Sequence, residues 1–432
     1  MDLLEFLKEA ELQEYYTGLK TDLKVHNVSQ LKYVEETDLS DLGMTKPEIR
    51  RLKKYYRKEC PQGALGKFKK KIMRSSSDVS SNREERPLPI TISSPRRYTR
   101  QTSGSRHIIP ADQIEAISTL GVGEFGIVQQ GVWTNDNGQK IQVAIKCLSK
   151  ERMQTGIADF LKEATMMHTV DHDNIVRLYG VVLDSSSEAP LMLVTELAPM
   201  RSLLECLKDT SAHPNFPVTT LCEYATQIAK GMEYLETRRM IHRDLAARNI
   251  LVFSKTKVKI SDFGMSRALG LSRDYYQTNF NVNLKLPIAW CAPECINYLR
   301  FTTASDVWAF GVTLWEMFSY GLQPWGGFSG QQDSDGQTSL KALELTTKIL
   351  EAIDEPNCRR LEQPDCCPKE FYGLMLKCWE NDPGRRPTFL EIAAMLPQIQ
   401  PTTMTAERDS SNTGKDFLVY SEGDVVTVLD RK

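Results

Sequence analysis

The sequence that decides the fold reads His242-Arg243-Asp244-Leu245-Ala246-Ala247-Arg248-Asn249, and Asp262-Phe263-Gly264 follows thirteen residues after Asn249. Asp244 is a candidate general base that could accept the proton of a substrate hydroxyl. Asn249 and Asp262 offer the hard oxygen ligands that Mg²⁺ prefers. Phosphoryl transfer needs an aligned hydroxyl, neutralised phosphates and a metal more than covalent help from protein. In this order the residues predict a phosphoryl-transfer site, with Asp244 catalytic and Asn249 and Asp262 binding the metal.

Upstream lies a glycine-rich stretch, residues 120–128, with glycines at 121, 123 and 126. Glycines let a hairpin bend tightly, so that backbone N–H groups can approach phosphates. A dinucleotide-binding fold uses the same spacing but places a helix directly after the glycines. Here Ile127, Val128, Val132 and Trp133 continue as a predicted strand, which favours a hairpin over phosphates. The predicted nucleotide contacts are Leu120, Gly121, Val122, Gly123, Glu124, Phe125, Gly126 and Val128.

Lys146 closes the β-branched run Val143-Ala144-Ile145-Lys146, twenty residues after Gly126. Its functional interpretation is a cation for the α- and β-phosphates. Such a lysine needs a carboxylate to hold it in place. Glu163 is the candidate, because it lies on an amphipathic helical pattern with Met166, Met167 and Val170. By itself Glu163 would be taken for a residue on a solvated helix face.

These motifs together resemble a eukaryotic protein kinase catalytic domain over residues 114–396. Ala292-Pro293-Glu294 resembles the end of an activation segment, and Asp306-Val307-Trp308-Ala309-Phe310-Gly311 the helix beneath the catalytic loop. The resemblance implies an α+β, bilobal protein kinase fold with ATP and Mg²⁺ bound between the lobes. It implies that Ala144 and Thr195 contact the nucleotide and that the backbone of Glu196 and Ala198 binds adenine.

The acceptor is indicated by the residues that follow the catalytic aspartate. Serine/threonine kinases usually carry a lysine two residues after it, whereas this chain has Ala246-Ala247-Arg248, the tyrosine-kinase form. The resemblance therefore gives Arg248 a catalytic role. Leu286-Pro287-Ile288-Ala289-Trp290 likewise resembles the platform that holds a tyrosine substrate. Tyrosine kinases usually have Lys or Arg where Ala289 stands, which bears on substrate sequence preference rather than on the acceptor.

A more specific resemblance is to the ACK (activated small-GTPase-associated kinase) family of non-receptor tyrosine kinases. It is carried by Leu193-Val194-Thr195-Glu196-Leu197-Ala198-Pro199, by Ile288-Ala289-Trp290-Cys291-Ala292-Pro293-Glu294 and by the stretch from Ala304 to Gly321. The family order is SAM domain, kinase domain, SH3 domain. The GTPase-binding segment of the family follows the SH3 domain, so the resemblance gives this chain no GTPase-binding function.

Two adjacent tyrosines, Tyr275 and Tyr276, lie between Asp262 and the activation-segment end. A phosphate on Tyr276 would add a charge of about −2 and could pair with Arg243, beside the catalytic base. We expect autophosphorylation at Tyr276, with Tyr275 second. Two solvent-exposed loop tyrosines without a regulatory role are the alternative.

Four further segments complete the organisation. Residues 1–60 are predicted to be helical, with Thr45 capping a helix that has Pro47 in its first turn; they resemble a SAM domain, with a generic helical bundle as the alternative. Residues 61–107 form a Ser/Pro-rich linker of net charge +8, and 108–400 the kinase domain with an insertion at 333–348. Residues 401–432 resemble the first half of an SH3 domain, with two strands around Glu422-Gly423-Asp424, but lack the part that would close a barrel.

Composition bounds the partners. The net charge of −2 and the lack of aromatics interleaved in the basic linker argue against nucleic acid. The ten cysteines lack metal-ligand spacing, which predicts reduced thiols and a cytoplasmic protein. Residues 67–74 could touch anionic membrane lipid, or simply serve as a solvated tether. ATP, protein tyrosine substrates and a self-associating SAM domain are the expected partners. A catalytically dead scaffold and a serine/threonine or dual-specificity kinase are the competing functions.

Overall fold

The computed structural model describes residues 3–59, 108–123, 126–152, 156–184, 191–270, 274–278, 286–328, 338–410 and 418–430. Contacts between Cα atoms divide the chain into two compact units, and the N-terminal helical domain belongs to one of them. All the residues of the candidate site belong to the other unit. Among the described residues, no helix has both the length and the apolar character required to span a membrane.

The N-terminal domain is built from four α-helices around one apolar cluster. Apolar residues at helical spacing, such as Leu3, Phe6 and Leu7, are fully buried in it. The last helix begins where Glu48 accepts hydrogen bonds from Thr45 N–H (2.8 Å) and Thr45 Oγ1 (2.6 Å), in agreement with the predicted helix start. The helices are α1 Leu3–Glu9, α2 Tyr16–Thr21, α3 Glu36–Asp41 and α4 Lys46–Glu59.

A six-stranded sheet lies in the region from residue 108 to residue 196. Its spatial order is β1-β5-β6-β4-β3-β2, and every neighbouring pair is antiparallel except β1 with β5. Side chains alternate across a strand, so Val143, Ile145 and Cys147 are buried on one face of β4 and Lys146 lies on the other. The strands are β1 Ile108–Ile109, β2 Ile114–Gly123, β3 Gly126–Thr134, β4 Lys140–Leu148, β5 Leu178–Leu183 and β6 Leu191–Glu196.

One helix, α5 Ile157–Thr169, packs on this sheet through Phe160 and Ala164, which contact Leu148, Leu191 and Leu193. Glu163 lies on the same buried face of the helix, and its residue is 2% exposed. An unpaired carboxylate is costly in such a place, so this position requires a cationic partner.

The part of the chain after residue 200 is mainly helical. Its central helix, α9 Thr303–Phe318, buries thirteen of its sixteen residues, including Asp306 and Glu316, so other elements surround it. The elements before this helix are α6 Leu203–Lys208, α7 Val218–Thr237, β7 Met240–Ile241, β8 Ile250–Ser254, β9 Lys257–Ile260, β10 Arg267–Ala268, β11 Tyr276–Gln277, α8 Pro293–Tyr298 and β12 Arg300–Phe301. From α9 onward they are α9 Thr303–Phe318, α10 Thr338–Ile353, α11 Lys369–Cys378, α12 Phe389–Met395, β13 Thr402–Thr405 and β14 Val425–Val428.

The predicted insertion 333–348 lies partly in α10, since that helix begins at Thr338; residues 333–337 lie outside the described residues. Leu340, Leu343 and Leu345 of the predicted insertion belong to this helix. The boundaries of the insertion remain a prediction.

The C-terminal tail differs from the prediction of two strands around Glu422-Gly423-Asp424. Of the described residues from 418 to 430, only Val425–Val428 forms a strand. Its antiparallel partner is the more distant strand Thr402–Thr405. Leu418 and Val419, before the turn, are 62% and 70% exposed, so no buried face stabilises a strand there. The likeness of this segment to an SH3 domain remains a prediction.

Candidate active site

The structure brings Lys146 and Glu163 together. Lys146 Nζ lies 2.8 Å from both carboxylate oxygens of Glu163, which links β4 to α5. The same ammonium lies 3.6 Å from Asp262 Oδ1. Burial opposes the charge on Lys146, but the carboxylates of Glu163 and Asp262 outweigh that cost and raise the pKa of Lys146 above its ordinary value. The lysine is therefore a fixed cation with one buried partner, Glu163, and one partly exposed partner, Asp262.

Asp262 follows β9 in a left-handed backbone conformation, with φ of 61°. Non-glycine residues seldom adopt this conformation, and where they do it is often at a functional site. The side chain is 46% exposed, and its Oδ1 accepts a hydrogen bond from the Gly264 N–H at 3.2 Å. Desolvation opposes ionisation, but Lys146 and the Gly264 N–H prevail and lower the pKa of Asp262. The carboxylate is thus ionised and accessible, as a metal ligand must be.

The catalytic-loop residues converge on the Asp244 carboxylate. Asn249 Nδ2 donates to Asp244 Oδ2 at 2.8 Å and to the Asp244 carbonyl at 2.7 Å. The Arg248 guanidinium forms an ion pair with Asp244 Oδ1. Since the amide nitrogen of Asn249 is occupied by Asp244, its Oδ1 is the atom available to ligate a metal.

Two links join this loop to the residues around Asp262. The Asn249 carbonyl accepts hydrogen bonds from Ser261 N–H and Ser261 Oγ, each at 2.8 Å, and Ser261 directly precedes Asp262. The His242 ring packs edge-on against Phe263, with ring centroids 5.2 Å apart. Lys146, Asp262, Asn249 and Asp244 therefore lie in one continuous set of contacts.

Asp306 of α9 anchors the loop from below. Its carboxylate accepts hydrogen bonds from the N–H groups of His242 (2.7 Å) and Arg243 (2.8 Å), and the residue is 1% exposed. Burial raises the pKa of Asp306, while the His242 and Arg243 groups oppose that shift. A buried carboxylate that accepts two backbone N–H groups fixes the loop that carries Asp244.

The glycine-rich hairpin forms between β2 and β3, with Gly121 opposite Val128 and Gly123 opposite Gly126. A Cβ on Gly126 would lie 2.4 Å from the Cys147 carbonyl oxygen, so only glycine fits this approach. Val122 is 84% exposed and Leu120 42% exposed. The two remaining predicted contacts, Glu124 and Phe125, lie outside the described residues.

The predicted adenine-binding segment is positioned by neighbouring strands. Ala144 of β4 lies opposite Thr195 of β6, so the two predicted contacts are adjacent in the sheet. The Glu196 N–H donates to the Arg177 carbonyl at 3.1 Å, and the Glu196 carbonyl accepts a hydrogen bond from Thr195 Oγ1 at 3.4 Å. Ala198 lies two residues further along the same segment.

The activation-segment tyrosines differ in their surroundings. The Arg243 guanidinium lies 4.8 Å from the centroid of the Tyr276 ring, and that of Arg267 lies 5.6 Å from it. Tyr275 is half-buried. Arg243 was expected near Tyr276 from the sequence, whereas Arg267 was not, because nothing in its local sequence marks it.

The contacts of three other residues were not predicted from the sequence. Lys259 of β9 forms an ion pair with the carboxylate of Glu196, which belongs to the predicted adenine-binding segment. The Arg248 guanidinium lies over the ring of Trp290, in the predicted platform, 4.4 Å from the ring centroid. Glu316 of α9 accepts a hydrogen bond from Trp290 Nε1 at 2.8 Å. These contacts join residues far apart in sequence, and no spacing signal predicts them.

Comparison with known proteins agrees with this geometry. Residues 114–396 match the model of the protein tyrosine and serine/threonine kinase family, and residues 3–58 match a SAM domain-like family. The chain belongs to the protein tyrosine and serine/threonine kinase family. Its predicted resemblance to the ACK family of non-receptor tyrosine kinases is confirmed, as is the SAM-like N-terminal domain.

Relatives come from several animals. An "Activated Cdc42 kinase-like" protein of Drosophila melanogaster is 55% identical over all of this chain, which spans 32% of that relative. An "Ack-related non-receptor tyrosine kinase" of Caenorhabditis elegans is 44% identical over 99% of this chain and 38% of its own length. The human "Non-receptor tyrosine-protein kinase TNK1" is 34% identical, over 99% of this chain and 60% of its own. The chain thus spans about a third of the first two relatives.

Proposed function

We propose that this chain is an ATP- and Mg²⁺-dependent protein tyrosine kinase with a signalling role. One observation carries the proposal: Lys146, Asp244, Asn249 and Asp262 lie in one set of contacts beside a glycine hairpin. Phosphoryl transfer requires this combination: a cation for the phosphates, a group that accepts the proton of the substrate hydroxyl, and oxygen ligands for the metal. The names of the relatives support a non-receptor tyrosine kinase.

The residues present fit a magnesium ion. Asp262 is ionised and accessible, and Asn249 Oδ1 is left available by the hydrogen bonds of its amide nitrogen. When bound, Mg²⁺ neutralises the charge on the phosphates. Lys146, held by Glu163, supplies the remaining cation on the nucleotide side. The hairpin from Leu120 to Val128 would cover the phosphates.

Asp244 is the group that receives the proton of the acceptor hydroxyl. Its two oxygens are oriented separately, Oδ2 by Asn249 and Oδ1 by Arg248. A general base must be aimed at the proton that it removes, and this double contact restricts rotation of the carboxylate. Arg248 is also held over Trp290, on the segment that we propose as the substrate platform.

Tyrosine is proposed as the acceptor because Ala246, two residues after Asp244, stands where serine/threonine kinases usually carry a lysine. The contact of Arg248 with Trp290 of the proposed platform supports the same acceptor. The experiment uses two peptides that differ only in Tyr or Ser at one position, with radiolabelled ATP and Mg²⁺. We expect phosphotyrosine as the product, by phosphoamino-acid analysis. Label in serine at an equal rate would overturn the acceptor, and no label in either would overturn kinase activity.

Autophosphorylation of Tyr276, and secondarily of Tyr275, is proposed as the activating step. Tyr276 lies against the guanidinium groups of Arg243 and Arg267, so a phosphate there could form charge-assisted contacts with both, and Arg243 directly precedes the catalytic base in the chain. After incubation with ATP, Tyr276→Phe should retain only about a tenth of the wild-type activity. Tyr275→Phe is the matched variant and should lose less. Unchanged activity and phosphotyrosine content in Tyr276→Phe would contradict the proposal.

The remaining partners are proposed only by general class. ATP and protein substrates follow from the kinase domain, and the SAM-like domain is compatible with self-association. The proposed lipid contact at 67–74 lies outside the described residues. A cytoplasmic location without nucleic-acid binding rests on the sequence composition.

A further inference from the structure

Glu316 is a buried carboxylate that joins two separate parts of the site. Its Oε2 accepts a hydrogen bond from the Ala247 N–H at 2.8 Å and another from Trp290 Nε1 at 2.8 Å. The residue is 1% exposed and lies near the end of α9. Ala247 belongs to the catalytic loop, whereas Trp290 belongs to the proposed substrate platform. One oxygen therefore fixes the distance between the two segments.

A second path joins the same two segments through the catalytic base. The Arg248 guanidinium lies 4.4 Å from the Trp290 ring centroid and forms an ion pair with the Asp244 carboxylate. Arg248 follows Ala247 in the chain. The contacts thus form a closed ring, from Glu316 to Trp290, Arg248 and Asp244, and back through the loop to Ala247.

The simpler alternative is that Glu316 only stabilises the fold, as a buried carboxylate often does. Asp306, on the same helix, shows what that role looks like, since both of its N–H partners, His242 and Arg243, are neighbours in one loop. Glu316 differs because its partners are 69 and 26 residues away, in two segments with different tasks. Loss of its contacts would shift these segments relative to each other.

We propose that Glu316 is a positioning residue for the phosphate acceptor, acting through the indole N–H of Trp290 and the peptide N–H of Ala247. It holds the platform against Arg248, and Arg248 in turn keeps the Asp244 carboxylate aimed at the substrate hydroxyl. The inference rests on the proposed kinase function and adds a residue that determines how the protein substrate, rather than ATP, is aligned.

The test removes the hydrogen bond between Trp290 and Glu316 and keeps an aromatic side chain at position 290. Trp290→Phe keeps an aromatic face for Arg248 but lacks the indole N–H. We expect kcat/KM for a tyrosine peptide to fall about tenfold, because small misplacements of reacting groups are costly, while KM for ATP changes less than twofold. The matched control is Trp315→Phe, whose indole N–H instead donates to the Glu362 carbonyl at 2.8 Å, and both constants should stay near wild type.

A second variant tests whether Glu316 and Trp290 act through the same hydrogen bond. Glu316→Gln keeps an acceptor oxygen but loses the charge, and it should show the same split between the two substrates. If Glu316 and Trp290 act through one hydrogen bond, the double variant should lose little more than the worse single variant.

The possible results separate this inference from the proposed function. Equal kinetics for Trp290→Phe and Trp315→Phe, or an equal loss in the constants for ATP and peptide, would overturn the positioning role alone. A wild-type chain that makes no phosphotyrosine would overturn the proposed function, and this inference with it.

Discussion

The residues of the proposed nucleotide side and those of the proposed acceptor side are held in place in different ways. Around the proposed nucleotide site, Lys146, Glu163 and Asp262 come from a strand, a helix and a loop, and Lys146 joins the two carboxylates. On the acceptor side, Asp244 belongs to a loop whose backbone is fixed by two carboxylates of one buried helix, Asp306 and Glu316. The comparison teaches that the acceptor side is preorganised by a single helix, whereas the nucleotide side depends on the position of α5.

The acceptor side should show the largest loss of activity. Asp244→Asn preserves shape but removes the proton acceptor, so kcat should fall by about 10³-fold, within the usual range for general-base removal. Initial rates of peptide phosphorylation at saturating ATP give the value. The exposed Asp365→Asn is the charge-matched control and should be unaffected. A tenfold loss or less in Asp244→Asn would mean that another group takes the proton.

Asp306, which fixes the loop that carries Asp244, should contribute to the free energy of unfolding. Asp306→Asn turns one of two acceptor oxygens into an N–H₂ donor that faces a backbone N–H. We expect a loss of about 3 kcal/mol in the free energy of unfolding, as for other broken buried networks. Urea unfolding followed by tryptophan fluorescence measures it. A variant as stable as wild type would show that α9 does not hold the loop through this carboxylate.

The nucleotide side should respond to loss of the carboxylate that holds Lys146. Glu163→Gln retains size but removes the charge that fixes the ammonium, so kcat/KM for ATP should fall by about 30-fold, or roughly 2 kcal/mol of transition-state stabilisation. KM for the peptide should move less than twofold. Glu370→Gln, at an exposed position of α11, is the control. A larger change for the peptide than for ATP would reverse the comparison between the two sides.

The smallest effect is expected from pH. Folding lowers the pKa of Asp262, so its ionised form stabilises the folded protein. This stabilisation is complete above the pKa of the carboxyl in the unfolded chain and is lost as pH falls through the folded pKa, which lies below 3.8. The contribution of Lys146 is complete below its unfolded pKa of 10.5 and is lost as pH rises through the raised folded value. Neither group titrates between about pH 7 and 9, so Kd for Mg²⁺-ATP, measured by calorimetry, should vary less than twofold. A steep dependence would show that one of them titrates there.

The kinase fold and the site residues Lys146, Asp244, Asn249 and Asp262 could be predicted from the sequence because each belongs to a short motif with a recognisable spacing. Asp244 and Asn249 are five residues apart, and local backbone geometry alone brings them together. Glu163 could be assigned to Lys146 because its helix carries a clear apolar pattern.

Other features could not be read from the sequence, because they depend on packing between distant segments. Glu316 resembles any helical glutamate until the Trp290 and Ala247 donors are placed beside it. The strand Val425–Val428 was predicted correctly but its partner was not, because pairing with Thr402–Thr405 is decided by which strand edge is near, not by alternation.

The most direct test of the central claim is a crystal structure of this chain with a non-hydrolysable ATP analogue and Mg²⁺. The account predicts the metal on Asn249 Oδ1 and Asp262, the phosphates at Lys146, and the base against Glu196 and Ala198. A nucleotide bound elsewhere, or a metal that neither Asn249 nor Asp262 touches, would contradict it.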